Sequence, residues 1–339
     1  MAEVFAVEET AAQVTWRRGG AGSRVIEGLA PGRRFSIPLD DGRTARGTTL
    51  VAPPGPELCR VATVSDTHIG GVGFGWLPHA APPDLRMHDR CLTAAIDEAT
   101  AWGADLLVVK GDLTEGGRPA QWEAAAEILG RATVPVIVVA GNHDIRRLAS
   151  DGSAALADVG IHARPGDVIV RDLPGLRVVA ADVTVPGHHH GTLDGTGAAI
   201  IEAAAGAEGG VLVAMHHHLQ RFGPWTHWPP GITGTEANPF LDALAAAHPA
   251  SLVTSGHTHR HRRRRHGPVV VTEVGSTKDF PGTWAGYVVH EGGIRQVVRR
   301  VADPDCLAWT ESTRRVFLGT WGTWAAWSLG ARCFSHPWP

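Results

Sequence analysis

CRVATVSDTH, residues 59–68, is an apolar run that stops in a polar cluster, with Asp66 and His68 two positions apart. The same texture recurs in ADLLVVKGD (104–112), VPVIVVAGN (134–142), GLRVVAAD (175–182), GVLVAMHH (210–217) and ASLVTSGH (250–257). Short, near-continuous apolar runs of this kind read as strands covered on both faces. Between them, 85–102, 119–129 (Pro119 in the first turn), 195–207 and 238–247 read as helices. Strand–helix alternation predicts an α/β sandwich.

Beyond this central block the pattern changes. Residues 4–7, 13–16, 24–26, 33–37 and 48–51 read as short strands separated by GGAG, APG and DDG, and Ala52–Pro56 reads as a linker. After Gly256 the chain turns β-rich through 268–274, 285–290 and 294–301. The division expected is therefore a β-rich segment over 1–56, a central α/β domain over 57–301 and a Trp-rich extension over 302–339.

Composition narrows the function classes. The 339 residues are 43% hydrophobic and 19% charged with a formal net charge of −3, which disfavours disorder and a generally basic nucleic-acid binder. No stretch has the roughly 18–20 apolar residues of a membrane span, and the N-terminal residues lack a secretory pattern, so a cytoplasmic location is expected. The four cysteines show no zinc-type spacing and fit free thiols; only Cys306 and Cys333, bracketing the tail, leave a disulfide open. The 19 His and 12 Trp are the unusual counts, and five Trp (309, 321, 324, 327 and 338) crowd the tail.

The strand ends carry the chemistry. They read Asp66-Thr-His68, Gly111-Asp-Leu-Thr-Glu115, Gly141-Asn-His-Asp144, His216-His-His218 and Gly256-His-Thr-His259. Carboxyl ends of strands are where α/β sheets place ligands, and five of them bring more N/O donors than one ion can use. Their order and spacing resemble the calcineurin-like metallophosphoesterase superfamily, over roughly residues 57–301. Within it, Pro186–Gly191 resembles a loop of the class III cyclic-nucleotide phosphodiesterase branch.

The resemblance implies a four-layer α/β/β/α sandwich holding two metals bridged by one carboxylate and a hydroxide. Asp66, His68 and His259 would hold the first ion and Asn142, His216 and His257 the second, with Asp112 between them. His143 would be the general acid, oriented by Asp144. Nitrogen-rich donors with few carboxylates suit Mn, Fe or Zn better than Ca or Mg.

Other residues carry two readings each. His189 is a solvated loop residue or a substrate contact, and His217 a space-filling neighbour of His216 or a pocket residue. Arg260, with Arg262–Arg265, is a hairpin edge or a steering patch for anions. Trp225 and Trp228 pack the loop or stack an aromatic group; Trp324 and Trp327, spaced i, i+3, would share a helix face. Glu115 supports its loop, and Lys278 lies at the pocket mouth. The expected partner is a small phosphate ester, with no membrane and no nucleic acid, and the two appendages leave a homo-oligomer open. The expected function is phosphodiester hydrolysis; a phosphomonoesterase or a non-catalytic metal-binding scaffold are the alternatives.

Overall fold

The computed structural model describes residues 3–16, 21–39, 42–71, 85–145, 152–160 and 168–339; Gly19, Gly20, Asp40 and Asp41 of the expected turns lie outside them. Two six-stranded sheets dominate. The first runs Phe334–Pro337, Gly293–Arg300, Thr283–His290, Glu57–Val64, Leu106–Lys110, Val136–Val139. The second runs Arg262–His266, Val269–Glu273, Ser251–Ser255, Gly210–Met215, Leu176–Ala181, Val168–Leu173. In the first sheet Glu57–Val64, Leu106–Lys110 and Val136–Val139 run parallel out to one edge and the other three strands are antiparallel; in the second, four parallel strands are flanked by an antiparallel strand on each side.

Alternation along the second sheet explains the layers. Val178, Ala180, Leu212, Ala214 and Leu252 join Val61, Leu106 and Val108 in the core between the sheets. Their neighbours Val179, Ala181, Val211, Val213 and Met215 face the helices Gly197–Ala205 and Gly234–Ala247 through Ile200, Phe240, Leu241 and Leu244. Both faces are dry, which is why these strands read as unbroken apolar runs. The helices Leu85–Ala101 and Pro119–Leu129 cover the first sheet with Leu92, Ala95, Trp122 and Leu129. The result is an α/β/β/α sandwich.

Lys110 ties the sheets together below their carboxyl ends. Its buried Nζ donates to Thr254 Oγ1 at 2.9 Å and to the Ser255 carbonyl at 3.1 Å, and burial lowers its pKa to about 7. One strand end of each sheet is thereby held at a common level.

The N-terminal strands Glu3–Val7, Ala12–Trp16 and Gly22–Ile26 form their own sheet, with Arg34–Pro38 paired to Thr44–Thr48 beside it. Phe5, Val7 and Ala12 reach the main core, and Gln13 exchanges hydrogen bonds with the Arg300 backbone. The strand expected at 48–51 lies at Thr44–Thr48, because the turn closes early, with Leu39 N–H donating to the Arg43 carbonyl at 2.7 Å. The helix expected from 238 begins at Gly234. Its extra turn is anchored by Glu236, which accepts from Thr192 Oγ1 and the Leu193 and Asp194 amides.

The four cysteines are free, buried thiols, and Cys306 lies beside Cys91 rather than Cys333. The tail corrects one expectation. The helix bearing Trp324 is Thr320–Ala326, and Trp327 follows it at φ 47°, so the two rings do not share a helix face. Phe334–Pro337 adds a strand to the first sheet beside Gly293–Gln296. No helix among the described residues is long and apolar enough to cross a membrane.

Candidate functional site

The five polar strand ends converge where the two sheets meet. Asp66 N–H donates to the Gly111 carbonyl at 3.0 Å, His68 N–H to the Asp112 carbonyl at 2.9 Å, and Gly256 N–H to the His216 carbonyl at 3.0 Å. His257 N–H donates to both Asp66 carboxylate oxygens at 3.1 Å, joining the first strand end to the last.

This convergence requires unusual backbone. Asp66, His68, Asp112, His257 and His259 all have φ between 49° and 69°, a region that residues with a Cβ seldom occupy. Such strain, on the order of 1–3 kcal/mol each, persists where surrounding structure holds it and clusters at functional sites. Gly141 and Gly256 give the necessary room. A Cβ on Gly141 would stand 2.3 Å from Asp112 Oδ1, and one on Gly256 would stand 1.9 Å from Ser65 Oγ.

The side chains form overlapping donor sets. Asp66, His68 and His259 make one; Asp66, Asp112 and His216 make another, the donor atoms within each lying within 4.8 Å of one another. His216 Nε2 lies 3.3 Å from Asp112 Oδ2, 3.3 Å from Asn142 Oδ1 and 3.1 Å from His257 Nδ1. His259 Nε2 is 3.3 Å from Asp66 Oδ1, and His68 Nε2 is 3.6 Å from Asp112 Oδ2.

In each histidine the opposite nitrogen is already engaged. His68 Nδ1 meets Glu115 Oε2 at 2.9 Å, and His259 Nδ1 meets Asp279 Oδ2 at 2.8 Å. His216 Nδ1 meets the Lys110 carbonyl at 2.8 Å, and His257 Nε2 the Pro230 carbonyl at 3.1 Å. The nitrogen left over is the one turned toward Asp66, Asp112 and Asn142, and the buried His68 Nε2 has no hydrogen-bond partner. Outer partners that fix ring orientation and basicity are the usual accompaniment of metal-binding histidines, so the residues fit a divalent-ion pair.

Electrostatics agree with concentrated charge. Against the cost of burial, the Asp112 carboxylate raises His216 to about 9, and Asp279 with Asp66 raises His259 to about 10. Burial lowers His68 to about 4, helped by the charge of His143. Asp112 is held well below the usual carboxylate range despite burial, first by His216 and then by His143.

His143 sits at the edge of this cluster, its ring 4.5 Å from that of His68. Its Nδ1 meets the Glu115 carbonyl at 3.0 Å, and the Glu115 carboxylate lies 3.5 Å away. Against burial, Asp112 and then Glu115 raise His143 to about 9. The expectation that Asp144 orients this ring is corrected. Its carboxylate is taken up by the amides of Leu113, Thr114 and Gly141 and by Thr114 Oγ1, so it braces the two loops instead. Glu115 is the residue that meets His143.

A cavity of about 460 Å³ opens above the cluster, bordered by His68, Asp112, Asn142, His143, His257 and His259. That volume falls within the roughly 300–1,000 Å³ of small-molecule sites. Of the expected substrate contacts, His189 borders it and stands 5.0 Å from Trp228, which borders it too. His217 and Arg260 are not among its described lining residues. The His217 ring is buried behind His216 and His257, and Arg260 is drawn away by Glu273 at 2.7 Å. Lys278 and Asp279 also line the cavity, with Lys278 Nζ 3.3 Å from Asp279 Oδ2.

Asp279 was not legible as a site residue, because only the fold carries the 275–280 loop to His259. The arginine run is an edge strand, Arg262–His266. Three of its guanidiniums face the tail: Arg262 lies 3.7 Å from the Trp327 ring, Arg263 lies 4.5 Å from the Phe334 ring, and Arg265 donates to His336 Nδ1 at 3.2 Å, while Arg264 donates to the Leu219 carbonyl.

Residues 59–261 match the family described as calcineurin-like phosphoesterase. A probable cyclic nucleotide phosphodiesterase of Rhodococcus erythropolis is 33% identical over 162 residues, 45% of this chain and 50% of that protein. A cAMP/cGMP dual specificity phosphodiesterase of Mycobacterium tuberculosis is 29% identical over 164 residues, 45% of this chain and 48% of that one. The chain thus spans about half the length of the curated relatives it matches. A dimetal phosphatase from Danio rerio shares the fold, with a TM-score of 0.55 at 13% identity over 73% of this chain and 97% of that one. With a family match across more than half of its length, covering all five converging strand ends, the chain belongs to the calcineurin-like phosphoesterase family.

Proposed function

We propose that this chain is a binuclear metal-dependent hydrolase of small phosphodiesters, of cyclic-nucleotide or glycerophosphodiester type. The observation that carries the reading is the two donor sets overlapping at Asp66, with Asp112 Oδ2 3.6 Å from His68 Nε2 and 3.3 Å from His216 Nε2 and with His143 beside them. Asp66, His68 and His259 would hold one divalent ion, Asn142, His216 and His257 the other, and Asp112 both. Mn, Fe or Zn suits this nitrogen-rich set. Bound there, the two ions would supply Lewis acidity at the phosphoryl group and ionise water near neutral pH.

The chain's own residues do the rest. Glu115 and Asp279 fix the rings of His68 and His259, and Asp144 braces the loops that present Asp112 and Asn142. His143, held by Glu115 with its protonated form favoured by the carboxylates of Asp112 and Glu115, gives its proton to the departing ester oxygen. A diester is favoured over a monoester by the names of the curated relatives and by a cavity with room beyond the phosphate for a second substituent.

Metal-reconstituted protein assayed in parallel on bis(p-nitrophenyl) phosphate and p-nitrophenyl phosphate tests this. The diester should win in kcat/KM by roughly tenfold or more, about 1.4 kcal/mol of transition-state preference. Preference for the monoester would replace this reading with a phosphomonoesterase.

A further inference from the structure

The Trp-rich tail and the arginine strand, far apart in sequence, meet at the rim of the cavity. Phe317, Trp321 and Trp324 line it. Phe317 is 54% and Trp324 40% exposed, so large apolar rings stand in solvent at the mouth of a site for small molecules.

Their placement is fixed from behind. The Arg262 guanidinium lies 4.7 Å from the Trp324 ring centre and 3.7 Å from that of Trp327, and its Nη1 donates to the Trp324 carbonyl at 3.0 Å. Arg260 stacks on Trp324 at 4.7 Å, while its Nε is fixed by Glu273. His261 N–H donates to the Ala325 carbonyl at 3.0 Å, two residues after His259. Cation–π contacts to Trp are the strongest of their kind. The tail is therefore registered to the strand end that carries two of the candidate ligands.

Trp324 also lies on a definite side. Its ring is 6.2 Å from that of His227, which packs at 5.1 Å on His218, a ring stacked on His257. His143 borders His68 and Glu115 instead.

Resting on the phosphodiesterase reading above, we infer that the tail is the specificity wall of the site. Phe317, Trp321 and Trp324 receive the ester group that stays on phosphorus, selecting one with a flat aromatic ring. Arg262 is the positioning residue that sets the wall. The ring recognised could be a nucleobase or a simple aryl group, and the probes separate them.

Three diesters with one leaving group provide the test: the p-nitrophenyl esters of methyl phosphate, of p-nitrophenyl phosphate and of thymidine 5′-phosphate. Wild-type protein should favour the aromatic retained groups over methyl. Trp324→Ala should lower that preference roughly tenfold, chiefly through KM, and Trp324→Phe should keep most of it. A loss confined to the thymidine ester identifies a nucleobase wall, and one confined to the bis ester an aryl wall. Arg262→Met should reproduce the KM effect, and Arg262→Lys, which keeps a cation against the rings, should restore part of it. Trp324→Ala with an unchanged ratio among the three esters would overturn the wall while leaving the phosphodiesterase reading intact. Failure of wild-type protein to cleave any of them would overturn that reading and the wall with it.

Discussion

His143→Ala offers the sharpest view of the proposed chemistry. The ring is held on Nδ1 by the Glu115 carbonyl at 3.0 Å, and Asp112 and Glu115 raise it to about 9. Both carboxylates thus favour the protonated ring, the form a proton donor needs. General-acid assistance is worth ~10²–10⁴ in rate where the leaving oxygen is strongly basic, about 2.7–5.4 kcal/mol. A p-nitrophenolate leaves without a proton and needs little of this. His143→Ala should therefore cost an alkyl or ribose ester on the order of a hundredfold more than a p-nitrophenyl ester.

The pH profile carries the same logic. The donor works below its pKa, so the wild-type rate on an alkyl ester falls as pH rises through that value. Two cations bound at the neighbouring Asp112 would disfavour the charged imidazole and move this limb toward neutral pH. The alanine variant should lack the limb. The assay is kcat/KM on both ester types across pH 5–10, in metal-saturated protein. Equal losses on the two esters, or a variant that retains the basic limb, would refute the assignment.

Two further outcomes follow from contacts around the site and the tail. Asp279→Asn removes the carboxylate that fixes His259 Nδ1 at 2.8 Å. It should weaken Mn or Zn binding at one of the two sites by roughly 10–100-fold, read by equilibrium dialysis. His336 is buried in the tail strand; burial, with Arg265 and Arg263 nearby, lowers it to about 4 from 6.5. The unfolded chain takes up that proton first as pH falls, so stability declines from about pH 6.5 down to about pH 4. His336→Gln should flatten this part of the urea-midpoint profile; an unchanged slope would contradict it.

Much of the site was legible because each strand end packs its donors into a few consecutive residues. Asp66 and His68, or His257 and His259, need only the strand to be recognised for their direction to follow. What could not be read depends on residues joined by folding. Glu115 rather than Asp144 meets His143, because Asp144 is consumed by backbone amides of two loops whose approach no local pattern reveals. Asp279 belongs to a loop that only the sheet order carries to His259.

The left-handed backbone at Asp66, His68, Asp112, His257 and His259 is likewise a tertiary effect, since these residue types prefer other conformations in isolation. The arginine run read as a hairpin edge or a patch for anions, and it is an edge strand. The side chains of Arg262, Arg263 and Arg265 are spent on rings and carbonyls about 60 to 70 positions away, a pairing that neither composition nor spacing expresses. The buried, unpaired Cys306 shows the same limit: bracketing the tail left Cys333 open as its partner, and packing put it beside Cys91.

The central claim is that two ions share one carboxylate, and metal counting on Asp112→Ala tests it most directly. Chelator-treated wild-type protein, titrated with Mn or Zn and followed by calorimetry, should take up two ions per chain and regain activity. The Asp112→Ala variant, with its fold checked by circular dichroism, should lose both high-affinity sites together, because this carboxylate lies against His68 and His216 alike and would serve both ions. Two sites of undiminished affinity in that variant, or loss of one with the other intact, would contradict the account.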